Sequence, residues 1–217
     1  MPSDTPVGVI RALLVDWGGV MTSSVFASFA GFCEREGLPA NAVRDRFRTD
    51  PAARDLLVGL ECGTLPEDEF EDGFAALLGV PGRGLIDRLM ADLRIDEVMV
   101  ALVRRARRHA IVTGLISNSW GSGRYDRELI AELFDGVVIS ADVGIRKPDP
   151  EIYALGAAAV GQEPAACVFI DDLPGNLKPA RAMGMTTVHH TAAPLTVTAL
   201  TGILGWQSVR SPDRNSA

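Results

Sequence analysis

Five short apolar runs punctuate the chain: VIRALLVD (9–16), IVTGLIS (111–117), GVVIS (136–140), ACVFID (166–171) and MTTVHH (185–190). Each is strand-length and bounded by Gly, Asp, Asn or Pro, and most are rich in Val and Ile, as buried strands are. Helical spacing separates the last four. RYDRELIAELF (124–134) sets Leu129, Ile130, Leu133 and Phe134 on one face, PEIYALGAAAVG opens on Pro150, and LPGNLKPARAMG closes on Gly184. Pro at a helix start and Gly at its end are the expected punctuation. The alternation predicts an α/β protein, a Rossmann-like parallel sheet with helices on both faces.

Residues 22–95 break that alternation. TSSVFASFAGFCEREG, ANAVRDRFRT, PAARDLLVGLECG, PEDEFEDGFAALLG and GLIDRLMADL all carry helical patterns, with no convincing strand. Pro66 and the acids Glu67, Asp68 and Glu69 mark a helix start, where the dipole favours negative charge. The expectation is a small inserted α-helical cap over 22–95 and a discontinuous α/β core over 9–21 and 96–205. The insert should sit above the carboxyl ends of the strands, where such sheets place their ligands. Residues 1–8 and 207–217, rich in Pro, Ser, Asp and Arg, read as flexible tails.

Composition narrows the setting. The 217 residues allow one large domain or one domain with an insert. A net charge of -7 and the lack of a long basic run argue against a nucleic-acid partner. Cys33, Cys62 and Cys167 are far apart and form no CxxC pair. Neither a zinc site nor a disulfide framework is indicated, and a reduced cytoplasm is the simplest setting. MPSDTPVG has no basic n-region, and the apolar run after it is too short for a signal peptide or a membrane span. The expected protein is cytoplasmic, with no membrane partner.

The candidate chemistry lies where the strands end. Asp16 closes the first run, Ser117-Asn118 the second and Asp171-Asp172 a later one, with Lys147 in the intervening loop GIRKPDPEIY. In a parallel sheet these ends share one edge. A carboxylate can attack phosphorus and form an acyl-phosphate. Further carboxylates can hold Mg²⁺ together with a substrate phosphate. A hydroxyl, an amide and an ammonium can hold the remaining phosphate oxygens. Gly18-Gly19 let the backbone pass close to a ligand. Singly, each of these residues except Asp16 reads better as a turn or cap residue; together, each at a strand end, they point to phosphoryl transfer.

With VDWGGV, LISNS, RKPDPEIY and FIDDLPGNLKPARAMGM in place, the chain resembles the haloacid dehalogenase-like hydrolases over about residues 9–205. The likeness is strongest to the branch that includes the N-terminal phosphatase domain of soluble epoxide hydrolases, whose small cap follows motif one. The resemblance implies Asp16 as nucleophile, Ser117 and Asn118 as ligands of the transferring phosphoryl group, and Lys147 steadying nucleophile and phosphate. It implies Asp172 as a direct Mg²⁺ ligand, Asp171 nearby or acting through water, and the Gly18 carbonyl completing the protein ligands. The implied partner is a small phosphorylated metabolite. Trp17 reads as core packing, and Trp120 as a candidate for lining the substrate pocket.

One expected residue is missing. Phosphatases of this family usually carry Asp-x-Asp in motif one, the second Asp protonating the leaving alcohol and then activating water. Here that position is Gly18, and such acid–base help is typically worth about 10²–10⁴-fold. Three readings follow. The first is a phosphatase whose substrate needs little protonation, or finds a proton elsewhere. The second is a 2-haloacid dehalogenase, which needs no such Asp but also needs no metal and lacks the acidic pair, so Asp171-Asp172 weigh against it. The third is a binder of a phosphate ligand or of a partner, with little turnover. Phosphonate cleavage through a cap lysine is close to excluded, since the only lysines, Lys147 and Lys178, lie outside the insert. His109, His189 and His190 read as surface or loop positions, and the cap arginines as mostly solubilising.

Overall fold

The computed structural model describes residues 9–206. The two expected tails, 1–8 and 207–217, lie outside the described residues. The five apolar runs form five strands: β1 (Ala12–Val15), β2 (Val112–Ser117), β3 (Gly136–Ile139), β4 (Cys167–Asp171) and β5 (Thr186–His189). They pair in parallel in the order β3-β2-β1-β4-β5. The order reverses at β1, which is where doubly wound sheets open a crevice at the carboxyl edge.

Between β1 and β2 come α1 (Val25–Arg35), α2 (Ala42–Thr49), α3 (Pro51–Glu61), α4 (Glu67–Leu78), α5 (Leu85–Leu89) and α6 (Glu97–Arg108). After β2 come α7 (Arg127–Leu133), the single turn α8 (Ser140–Val143), α9 (Pro150–Ala159), α10 (Pro174–Ala182) and α11 (Ala193–Ile203). The helix α11 had no counterpart in the patterns singled out from sequence. Its buried positions are Ala193, Thr196 and Leu200, a thin stripe in an otherwise mixed segment.

Alternation along the strands builds two cores. Leu13 and Val15 of β1, with Val168 and Ile170 of β4, face α6, α7 and α11. Ala12 and Leu14, with Cys167 and Phe169, face α9 and α10. Side chains two residues apart share a face, so a strand buried on both sides must be apolar throughout. That is why these runs are continuous rather than alternating.

The helices α1–α5 pack around a third core containing Phe29, Phe32, Phe70, Phe74, Leu85, Ile86 and Leu89. Chain entry to this block and exit from it lie side by side. Thr22 and Ile95 form an antiparallel bridge, and the Ser23 N–H donates to the Arg94 carbonyl at 2.7 Å.

Candidate active site

Register brings the carboxylates together. Val15 pairs with Ile170, and both strands continue into an aspartate. The Asp16 N–H donates to the Ile170 carbonyl at 2.9 Å. On the other side Val15 pairs with Leu115, which places Ser117 at the same edge. Asp16, Asp171 and Asp172 each offer an oxygen, all within 4.8 Å of one another.

Lys147 reaches into this cluster from the β3–β4 connection. Its Nζ lies 2.7 Å from Asp16 Oδ1 and 2.7 Å from Asp171 Oδ2. The lysine is 1% exposed and Asp171 0%. Asp171 is held further by Asn176 Nδ2, which donates to both carboxylate oxygens at 3.0 and 3.1 Å, and by the Leu173 N–H at 2.8 Å. Asp172 is only half-buried, and His189 Nε2 meets its backbone carbonyl rather than its carboxylate.

Burial raises the Asp16 pKa. The Lys147 ammonium opposes that rise, and the charges of Asp171 and Asp172 add to it. Asp172 is pushed up to about 6 by burial and then by Asp171. Lys147 is held in its charged form by the two aspartates against the cost of burial. Three carboxylates facing one ammonium leave excess negative charge among oxygen donors, a donor set that fits a hard divalent cation.

Ser117 and Asn118 stand beside this cluster. Asn118 Oδ1 accepts from the Lys147 N–H at 2.8 Å, and Asn118 Nδ2 donates to the Lys147 carbonyl at 3.1 Å. The pair clamps the lysine loop to the end of β2. The Tyr125 hydroxyl donates to Ser117 Oγ at 2.9 Å. Burial, with a smaller push from Asp16, lifts that phenol to about 12.

The two motif-one glycines do different work. Gly19 sits at φ +76°, and a Cβ there would lie 2.5 Å from Asp172 Oδ2, so both backbone and contact demand glycine. Gly18 has no such backbone constraint. A Cβ at 18 would meet Val25 Cγ2 at 3.1 Å. Any side chain at 18 would therefore start out against a valine methyl.

A cavity of about 320 Å³ opens over Gly18, between the sheet edge and the helical block. Ser117 and Asn118 form its polar floor, and Trp17, Val25, Met90, Leu93, Trp120 and Tyr125 much of its walls. Trp120 does more than line it. Its ring lies 5.6 Å from Phe29 and 6.0 Å from both Phe47 and Phe70, so a residue of the β2–α7 loop is seated in the aromatic core of the helical block. Trp17 is buried in the core, as expected, and also meets Tyr125 at 5.9 Å. At the mouth Arg124 pairs with Asp87 of α5, and its other terminal nitrogen lies 3.9 Å from Glu67 of α4.

A family model described as haloacid dehalogenase-like hydrolase matches residues 10–184. The chain belongs to that family. It is 25% identical to the bifunctional epoxide hydrolase 2 of Sus scrofa over 226 residues, covering 94% of this chain but only 40% of that protein. It is 28% identical to a sesquiterpene phosphatase of Aspergillus oryzae over 67% of this chain and 77% of the relative. Among solved structures, a family enzyme of Bacteroides thetaiotaomicron in complex with magnesium and inorganic phosphate superposes with a TM-score of 0.63 at 24% identity, covering 84% of this chain and 95% of that one. No helix among the described residues is long and apolar enough to cross a membrane.

Several residues at the site carried no readable sequence signal. Glu61, the last residue of α3, is buried, pairs with Arg146 Nε at 2.5 Å and accepts from Asn118 Nδ2 at 3.3 Å. Burial lifts it to about 7, with Arg146, Lys147 and Asn118 opposing. Asn176 falls within the last quoted motif and is recoverable from its place five residues after Asp171. His190 differs from its expected solvent-facing position: it is buried, and its Nδ1 meets Thr196 Oγ1 at 2.9 Å. It is a core histidine satisfied by α11, the helix whose pattern sequence did not show.

Proposed function

We propose that this protein is a Mg²⁺-dependent phosphatase of small phosphate monoesters, working through an aspartyl-phosphate at Asp16. One observation carries the reading: the Asp16 carboxylate, at the edge of the sheet, is bound to Lys147 and grouped with Asp171 and Asp172, and the residues next to it in the chain, Trp17 and Gly18, line a cavity together with Ser117 and Asn118. Asp16 attacks phosphorus as the ester P–O bond breaks. Ser117 and Asn118 hold the phosphoryl oxygens, and Lys147 balances charge on both nucleophile and phosphate. Asp16 and Asp172, with the Gly18 carbonyl and with Asp171 alongside, would hold Mg²⁺, which supplies charge neutralisation for carboxylates and phosphate together. Residues 22–95 act as a cap over a core of 9–21 and 96–205, and Trp120 is part of the substrate wall.

The wall of the cavity supports an apolar organic group on the ester. A volume near the lower end of about 300–1,000 Å³ suits a compact ligand. Arg124 is a cation at the mouth, paired through one terminal nitrogen with the exposed Asp87. The sesquiterpene phosphatase relative supports the same reading.

A second reading, a phosphate-ligand binder with little turnover, is favoured by one contact, the Val25 methyl against Gly18. Phosphate release from aryl, acyl, sugar 1- and alkyl phosphates, with Mg²⁺ and with chelator, separates the two. Mg²⁺-dependent release lost in Asp16→Asn is expected. Release no greater than that of Asp16→Asn for every ester would leave the binder.

A further inference from the structure

Among the described residues, the lining of the cavity over Gly18 offers no carboxylic acid free to serve the leaving group. Its titratable lining residues are Asp87, Arg124 and Tyr125, and the first two are bound to each other at the mouth. Tyr125 remains. Its hydroxyl is 2.9 Å from Ser117 Oγ, its ring rests against Trp17, and it shares the cavity wall with Gly18. An ester whose phosphoryl group is held by Ser117 is thus one hydrogen bond away from the phenol.

We propose that the Tyr125 hydroxyl carries out the proton transfers that a carboxylate at position 18 would otherwise perform. The proposal rests on the phosphatase reading above. In the first step an Asp16 oxygen bonds to phosphorus, the P–O bond to the organic group breaks, and the departing oxygen takes the phenolic proton, leaving alcohol, aspartyl-phosphate and phenolate. In the second, the phenolate takes a proton from water as the water oxygen bonds to phosphorus and the bond to Asp16 breaks. Inorganic phosphate leaves, and Tyr125 and Asp16 return to their starting forms. A phenol is a weaker acid than a carboxylic acid and a stronger one than an aliphatic alcohol. It therefore suits the departing oxygen, and its conjugate base is strong enough to activate water.

The contact with Ser117 allows a rival role, in which Tyr125 merely orients that hydroxyl. Leaving-group dependence separates the two. In Tyr125→Phe with Mg²⁺, kcat/KM for an alkyl phosphate should fall by about 10²–10⁴-fold, while first-turnover release from p-nitrophenyl phosphate falls far less, because nitrophenolate leaves unaided. Ser117→Ala should slow both esters by a similar factor. Stabilisation of Tyr125→Phe by Mg²⁺ and inorganic phosphate in a thermal melt checks that its site still forms. Equal losses for both esters in Tyr125→Phe would overturn the proton-transfer role and leave the phosphatase reading intact. Wild-type release no greater than that of Asp16→Asn for either ester would overturn both.

Discussion

Glu61, at the carboxyl end of α3, accepts a hydrogen bond from the side-chain amide of Asn118 at the end of β2. The same carboxylate pairs with Arg146, next to Lys147 in the chain, and the Glu61 carbonyl accepts from Ser140 Oγ. One buried acid of the helical block therefore touches the Asn118 amide and the loop that carries Lys147. Glu61→Gln keeps an acceptor for Asn118 and should retain most activity. Glu61→Ala leaves Asn118 Nδ2 bound only to the Lys147 carbonyl and should lower kcat/KM by more than Glu61→Gln does. Steady-state kinetics on an aryl phosphate decides it.

Glu61 also sets a pH dependence. Its pKa rises from 4.5 to about 7 on folding because burial disfavours the charge. The fold prefers the protonated form, so this contribution to stability is fully present below about 4.5 and is lost as pH rises through about 7. Wild-type melting temperature should carry a decline across that window that Glu61→Gln lacks. Parallel curves for the two proteins would assign the decline to another group.

The carboxylate cluster makes a second pH signature, tied to metal. Asp172 rises from 3.8 to about 6 on folding. Without a divalent cation its contribution is present below about 3.8 and lost as pH rises through about 6. Mg²⁺ binds the ionised form and should reverse the loss, so its stabilisation should be larger at pH 7.5 than at pH 4.5. Melts with Mg²⁺ and with chelator check this, and Asp172→Asn should lose most of the difference.

The Val25 methyl predicts that Gly18→Asp alone fails as a repair. The backbone at 18 tolerates a side chain, but a Cβ stands 3.1 Å from Val25 Cγ2. Gly18→Asp should therefore leave alkyl-phosphate turnover unchanged or lower, whereas Gly18→Asp with Val25→Ala should raise it. A gain from the single substitution would show that the valine yields.

Arg124 and Asp87 join the core loop to the cap across the cavity mouth. Asp87 is largely exposed, and exposed pairs are worth up to about 1 kcal/mol and weaken with salt. Raising ionic strength should raise KM in the wild type, and Arg124→Met should remove that dependence.

The centre of the sheet was legible because β1, β2 and β4 are buried on nearly every position of both faces, and an unbroken apolar run has few other readings. The carboxylates were legible because they interrupt those runs where the chain leaves the sheet. Tyr125, Glu61 and Val25 were not. They come from a loop and from the cap, separated in sequence from the groups they touch, and nothing local distinguishes a buried glutamate at a helix end from a solvated one. Helix α11 escaped notice for a related reason: it shows the core only a few small or aliphatic side chains, too thin a stripe for helical spacing to stand out.

The bridge between Thr22 and Ile95 makes the cap a detachable cassette. With Ser23 and Arg94 already hydrogen-bonded neighbours, a short link between them would replace the whole helical segment without stretching the sheet. An exchange at that seam would replace the roof of the cavity and the Glu61 contacts to Asn118 and Arg146, and leave Asp16, Asp171 and Asp172 where the strands put them.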